Sequence, residues 1–528
     1  MFAHSVAVFN HRMIRDAVEG FPDDGRLAAI CVGLYVAILI ALSFYGGHRY
    51  GLMWKYWRTR KSKPTPARLY PDAELPGITV QLPLFNERYV VEGLLDSICR
   101  LDYPRDRLQI QVLDDSTDET RHIAATASAA WRAKGLDVEF VHRTDRTGFK
   151  AGALENGLNT AKFGLVAIFD ADFRPDADFL KRTVHHFSDE KVAVVQARWG
   201  HLNGEESLLT RVQTIMLDGH FMIEHPARNR TGRFFNFNGT AGLWRIDAIR
   251  DAGGWHHETL TEDLDLSYRA QLKGWKFVYD PDVVCPAELP VEMNAFKSQQ
   301  HRWAKGSVQV MKKILPTVLR SDAPFAVKLE AFFHLTGNMA YLLMLGMCVL
   351  TLPVMAARSR LADPLVGGLV DLGLFVMATA SVIAFYTTAQ MLAYKNWRER
   401  ILAVPAMLAV GIGLTVNQAK AVIEALVGHR TAFIRTPKYA VGKEGANAGA
   451  WTAKRYRGVR NWAPMIELVF AVYFTVVVGY ALSHGLYGSL PFLMLFFAGF
   501  WYIALMSLFQ GRATARPAAP PATAPAPA

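Results

Sequence analysis

Five long apolar runs constrain this 528-residue chain more than any other feature. Residues 27–47, 331–356, 372–394, 468–483 and 490–508 contain no Lys, Arg, Asp or Glu. A helix needs roughly 20 apolar residues to cross a bilayer, so each run is expected to be a membrane helix, with 468–483 on the short side. The first run is too long for the apolar core of a cleaved signal, and its basic flank follows it rather than preceding it. It reads as an anchor at 27–47. The flank 48–68 holds seven Lys or Arg and no acid, which places it in the cytoplasm. Residues 1–26 are then extracytoplasmic, and 70–325 form a cytoplasmic domain. Residues 331–509 form a transmembrane region.

Residues 401–426 are a harder case. If they crossed, 430–460 would face outside, yet that stretch carries eight Lys or Arg against one acid. The segment is therefore expected to be interfacial or re-entrant, leaving about five crossings, with a sixth left open. Residues 297–314 read as an amphipathic helix on the membrane surface, with Trp303 and Val308 on its apolar side. The tail 511–528 is Ala/Pro-rich and expected to be disordered.

The net charge of +11 does not imply nucleic-acid binding. The basic residues cluster beside apolar runs, where they set topology and attract anionic headgroups. The partner they imply is the lipid bilayer. The four cysteines are scattered, with no metal-type spacing and no disulfide framework.

Within 70–325, strand-like runs at 77–85, 108–113, 138–142 and 165–169 alternate with helical stretches at 87–99, 119–134 and 150–158. This order predicts an α/β domain with a mostly parallel sheet covered on both faces. After Ala197 the pattern becomes irregular. Open sheets of this kind bind ligands at the carboxyl ends of their strands. Asp114 and Asp170 each follow an apolar run directly, and Asn86 and Glu87 follow the first strand.

Three acidic clusters, Asp114-Asp115-Ser116, Asp170-Ala171-Asp172 and Thr261-Glu262-Asp263, precede Gln299-Gln300-His301-Arg302-Trp303. A diphosphate leaving group needs neutralising charge, which Mg²⁺ or Mn²⁺ on one or two carboxylates supplies. Asp172 is the natural ligand, with Asp170 orienting the site or touching the ribose. Inversion at an anomeric carbon needs a base on the opposite side, and Asp263 is the candidate. Arg302 suits pyrophosphate oxygens. Trp303 offers a face for an acceptor sugar, Gln299 can bond either partner, and Lys150 can meet a phosphate. Each has a plainer alternative: turn aspartates, a helix-dipole acid, an aromatic belt or surface loops. Their joint order argues for transfer chemistry.

These motifs resemble those of membrane-bound family 2 glycosyltransferases. Residues 111–118, 148–154, 167–173 and 237–242, with Gln-Gln-His-Arg-Trp, are more narrowly similar to the cellulose synthase-like A (glucomannan 4-beta-mannosyltransferase) group and its bacterial relatives. The resemblance implies a GT-A-like domain in a bacterial inner membrane, taking a nucleotide sugar and a glycan acceptor. It implies that Asn86, Glu87 and Asp114 contact the nucleoside and that Asp170 and Asp172 hold metal and diphosphate. Asp263 is then the base, and Gln299, Arg302 and Trp303 line the diphosphate and acceptor site. Residues 433–438 resemble a Phe-x-Val-Thr-x-Lys gating loop, with Arg435 where Val is usual. That match implies that Thr436 and Lys438 close over the nucleotide and that synthesis is processive. UDP-glucose and GDP-mannose both suit the donor. A ceramide-type glucosyltransferase shares the Gln-x-x-Arg-Trp motif and remains the alternative. Export partner subunits, linkage position and product length are left open.

Overall fold

The computed structural model describes residues 25–361, 376–429, 436–441 and 463–515. The expectations for the N-terminus to residue 24, for 433–435, for most of 430–460 and for the tail from 516 lie outside them.

One sheet organises the domain between the first two membrane helices. Its strands are β1 (Ile78–Leu84), β2 (Leu108–Asp114), β3 (Asp137–His142), β4 (Leu165–Ile168), β5 (Val192–His201), β6 (Gly242–Arg245) and β7 (Lys276–Ala287). They lie in the order β3-β2-β1-β4-β6-β5-β7. β1 to β4 pair in parallel, β6 is antiparallel to both neighbours, and β7 is parallel to β5. β1 and β2 are buried at almost every position, as strands covered on both faces must be. Buried polar rungs also cross between them: Thr79 donates to Gln109 at 2.8 Å and Gln81 to Gln111 at 3.0 Å. Their register pairs Leu84 with Asp114, so the two strand ends are level. The loop carrying Asn86 and Glu87 therefore begins beside Asp114.

β5, β6 and β7 were not legible as strands. β7 contains Pro281 and Pro286, which cannot donate to a ladder. The structure places it at the sheet edge. Its register against β5 breaks between Ala197 and Arg198, which skips residues 281–283.

Among the described residues, five helices are long and apolar enough to cross a membrane: Arg26–Thr59, Phe325–Ala357, Val376–Ala393, Ala463–Ser483 and Tyr487–Gln510. They mark an integral membrane protein. The segment 401–426 forms two helices bent by 43° at residue 414, a broken span or a re-entrant loop. Aromatic stacking fills the bundle core, with Phe474 4.9 Å from Phe496 and 5.5 Å from Phe500. Small residues bring helices together: a Cβ on Gly499 would lie 2.1 Å from the Ala409 carbonyl oxygen, so only glycine permits that crossing.

The helix containing Gln299–Trp303 runs from Met293 to Arg320, beyond the predicted 297–314 at both ends and through Pro316. Buried polar contacts clamp it to the membrane part. Lys297 pairs with Glu467 at 2.6 Å, Asn417 donates to the Lys297 carbonyl at 3.0 Å, and Lys305 pairs with Glu424 at 3.0 Å. A second junction centres on buried Glu330, which accepts from Lys55, His48 and Arg228 at 2.6, 2.9 and 3.1 Å. Removing one partner from such a buried set typically costs 3–5 kcal/mol, about the whole margin of a weak domain.

Candidate active site

The carboxyl ends of β1, β2 and β4 open onto a cleft of about 200 Å³, closed on its far side by the helix Met293–Arg320 and residues 436–438. Glu87, Lys150, Asp170, Asp172, Asp263, Gln299, Arg302, Trp303, Thr436 and Lys438 all line it. Asp114 and Asn86 do not. Asp114 is fully buried behind the cleft, where it meets His142 Nδ1 at 2.7 Å. Asn86, at φ 55°, folds the loop by accepting the Thr117 backbone N–H at 2.9 Å. The neighbour Asp115 borders the cleft instead and takes a two-point contact from Arg143 at 2.8 and 2.6 Å.

Charge in the cleft is paired. Lys150 Nζ donates to Asp170 at 2.5 Å and to the Gly239 carbonyl at 2.9 Å. Burial alone lowers the Lys150 pKa, but Asp170, Glu262 and Asp263 outweigh it and raise it. Lys438 forms an ion pair with Asp172. Burial lowers the Arg302 guanidinium, with Glu262, Asp170, Asp263 and Asp172 opposing that shift.

Asp263 opens the helix Glu262–Leu272, where its carboxylate also accepts the Leu264 N–H at 2.8 Å. Burial, and then the neighbouring Glu262 carboxylate, push its pKa up to about 7, against the pull of Lys150. A carboxyl poised there is matched to proton transfer at neutral pH. Gly239 lies against it at φ 79°, where a Cβ would come within 3.0 Å of Asp263 Oδ2 and 3.5 Å of Lys150 Nζ. The loop 237–242 therefore approaches the base through backbone.

The donor set suits a hard divalent cation. Asp170 and Asp172 present carboxylate oxygens on the cleft wall, and each already faces an ammonium group. Among the described residues no group of three or more His, Cys, Asp and Glu is placed to hold a metal ion. Two carboxylates fit Mg²⁺ or Mn²⁺ when phosphate oxygens and water complete the shell.

Sequence reasoning missed Glu288. Its carboxylate accepts the backbone N–H of Tyr439 at 2.7 Å and of Val441 at 3.3 Å, and its carbonyl accepts from Lys438 at 3.0 Å. It thereby pins residues 438–441 at the cleft. A single acid in Ala-Glu-Leu-Pro gives no local signal for this. Thr436, 5% exposed, borders the cleft with its hydroxyl lacking a hydrogen-bond partner among the described residues.

A second cavity, of about 1120 Å³, meets the cleft at Asp263, Gln299 and Trp303. It continues between the membrane helices, past Tyr45, His220 and Glu224, to Met347, Phe492 and Phe496. Trp303 stands at the junction, its ring 6.4 Å from that of Trp199.

Residues 76–306 match the family described as glycosyltransferase like family 2. The chain is 40% identical over 306 residues to glucomannan 4-beta-mannosyltransferase 2 of Arabidopsis thaliana, covering 56% of this chain and 57% of that one. It is 46% identical over 253 residues to glucomannan 4-beta-mannosyltransferase 1 of Oryza sativa subsp. japonica, covering 47% and 48%. The chain thus spans about half the length of the curated relatives it matches. Among solved structures, the mannosyltransferase PcManGT from Pyrobaculum calidifontis, in complex with GDP-Man and Mn²⁺, aligns with a TM-score of 0.52 at 22% identity. The alignment covers 75% of this chain and 100% of that one, and it shows a shared fold.

Proposed function

We propose that this protein is an inverting hexosyltransferase that extends a β-linked polysaccharide from a nucleotide sugar and feeds the product into its own membrane cavity. The observation that carries this is the junction at Asp263 and Trp303. A cleft lined by paired charges opens there into a much larger cavity between membrane helices. The similarity to glucomannan mannosyltransferases favours GDP-mannose as donor over UDP-glucose.

Asp263 takes the proton from the acceptor hydroxyl. That oxygen bonds the anomeric carbon as the bond to the diphosphate breaks on the opposite face, which inverts the configuration. Arg302 and Lys150 hold the diphosphate oxygens, and the acceptor sugar lies against Trp303. A divalent cation on Asp170 and Asp172 would neutralise the leaving group. Thr436 and Lys438 close over the nucleotide; the Thr436 hydroxyl, without a hydrogen-bond partner among the described residues, supports this, because burying it without a partner costs about 1–3 kcal/mol. The basic flank of the first helix supports a domain on the cytoplasmic face of the membrane.

The test is a product assay on the purified protein in lipid vesicles. GDP-mannose and UDP-glucose are supplied separately with Mg²⁺ or Mn²⁺, and products are sized and digested with linkage-specific glycosidases. A long digestible polymer from one donor is expected. A lipid carrying a single sugar would overturn the proposal in favour of a glycolipid transferase.

A further inference from the structure

The polar end of the membrane cavity holds a cluster that this transfer chemistry does not use. His220 and Glu224 sit on one π-helical turn, His220–Glu224, between the helices Leu208–Gly219 and His225–Arg230. Such turns recur at functional sites because the extra residue re-aims side chains. Glu224 Oε2 accepts from His220 Nδ1 at 2.9 Å and from Arg228 at 3.3 Å. His220 Nε2 meets the Asn238 amide nitrogen at 3.0 Å, and Asn238 Oδ1 meets His225 Nε2 at 2.5 Å. The amide hydrogen goes to a bare His220 Nε2, which leaves the Nδ1 hydrogen for Glu224.

Burial alone raises the Glu224 carboxyl, but Arg228 and His220 outweigh it and hold it well below the usual carboxylate range. Glu224 is thus a fixed anion on the cavity wall. Its side chain is 27% exposed, and Oε1 accepts no hydrogen bond among the described residues. Tyr45, Phe333 and Tyr386 line the same cavity, and Tyr386 packs against Gly219, the residue before His220. Deeper in, the lining turns apolar at Met344, Met347 and Phe496. The link back to the chemistry is short: Asn238 bonds His220, and the next residue, Gly239, abuts Asp263.

We propose that Glu224, oriented by His220 and flanked by Tyr386, forms a second acceptor subsite, which holds the sugar behind the one on Trp303. A free carboxylate oxygen takes hydroxyl hydrogens while a ring takes the apolar face of the sugar. This rests on the polysaccharide reading above and specifies its acceptor: a β-linked oligosaccharide of at least two units.

The test uses the full chain in lipid vesicles with GDP-mannose, Mn²⁺ and three acceptors: mannose, β-1,4-mannobiose and β-1,4-mannotriose. Wild type is expected to show a KM for mannobiose about tenfold below that for mannose. Glu224→Gln is expected to raise the mannobiose KM about tenfold, towards the mannose value, with the donor KM within about twofold of wild type. Tyr386→Ala removes a ring without touching the ion cluster and is expected to raise the same KM. The subsite is overturned if neither variant moves the mannobiose KM, or if mannose and mannobiose KM rise equally. If wild type extends none of the three sugars, the synthase reading falls and the subsite falls with it.

Discussion

The two cavities that meet at Trp303 are built on opposite plans. The donor cleft is small, assembled from loops at the carboxyl ends of parallel strands, and crowded with charges that pair with one another. The membrane cavity is more than five times larger, assembled from helices distributed along the chain, and beyond its polar mouth it is walled by Met, Leu and Phe. In the cleft, lysines stand against the carboxylates, so under the proposed function an incoming diphosphate and cation would exchange partners instead of meeting bare buried charge, which would be costly. In the cavity, few groups grip strongly, which suits passage of a neutral polymer. Binding and release are thus assigned to different materials.

The sharpest way to break that division is at Asp263, which borders both cavities. Asp263→Asn is expected to lower transfer ~1,000-fold while nucleotide binding, followed by calorimetry, stays near wild type. Equal loss of both would make the residue a donor ligand or a structural one. Next in size is the cation. Chelation, or Asp172→Asn, is expected to cost about a hundredfold in kcat/KM. An Asp172→Asn enzyme with wild-type metal dependence would remove that residue from the cation site.

A smaller effect is expected from Thr436→Ala combined with Lys438→Ala, which takes the closing residues from the cleft and leaves the cavity intact. Product length and rate should fall about tenfold, read by sizing chromatography. Unchanged length would detach these residues from processivity. The smallest effect is in pH. Asp263, the proposed base, acts when ionised, and its pKa is raised to about 7, so kcat/KM should rise with pH through neutrality and level off above. Between pH 6.5 and 7.5 the gain should be about threefold. A flat profile over that range would contradict the raised value.

The cleft was legible in the sequence for a physical reason. Parallel strands place their ligating residues directly after an apolar run, so Asp170 and Glu87 announce themselves locally. Asp114 obeys the same rule but points into the protein, onto His142, and its neighbour Asp115 faces the cleft. A one-residue register is not readable from motif position alone. β7 was hidden by its prolines, which only an edge position tolerates. The membrane helices were legible from composition, but the cavity between them was not, because its lining comes from residues hundreds of positions apart. Glu224 and Glu288 lie in no motif that the chain repeats; their positions are fixed by a π-helical turn and by contacts to backbone far along the chain.

Under the proposed function, synthesis in the cleft and passage through the cavity belong to one protein. This is tested by reconstituting the purified chain in sealed vesicles with the domain facing outward. Donor is added outside, and the polymer is then challenged with an external β-glycanase before and after detergent. Polymer that resists digestion until the vesicles are opened is the predicted result. Polymer fully digested in sealed vesicles would contradict it, leaving the donor cleft as an active site and the membrane cavity without a role in export.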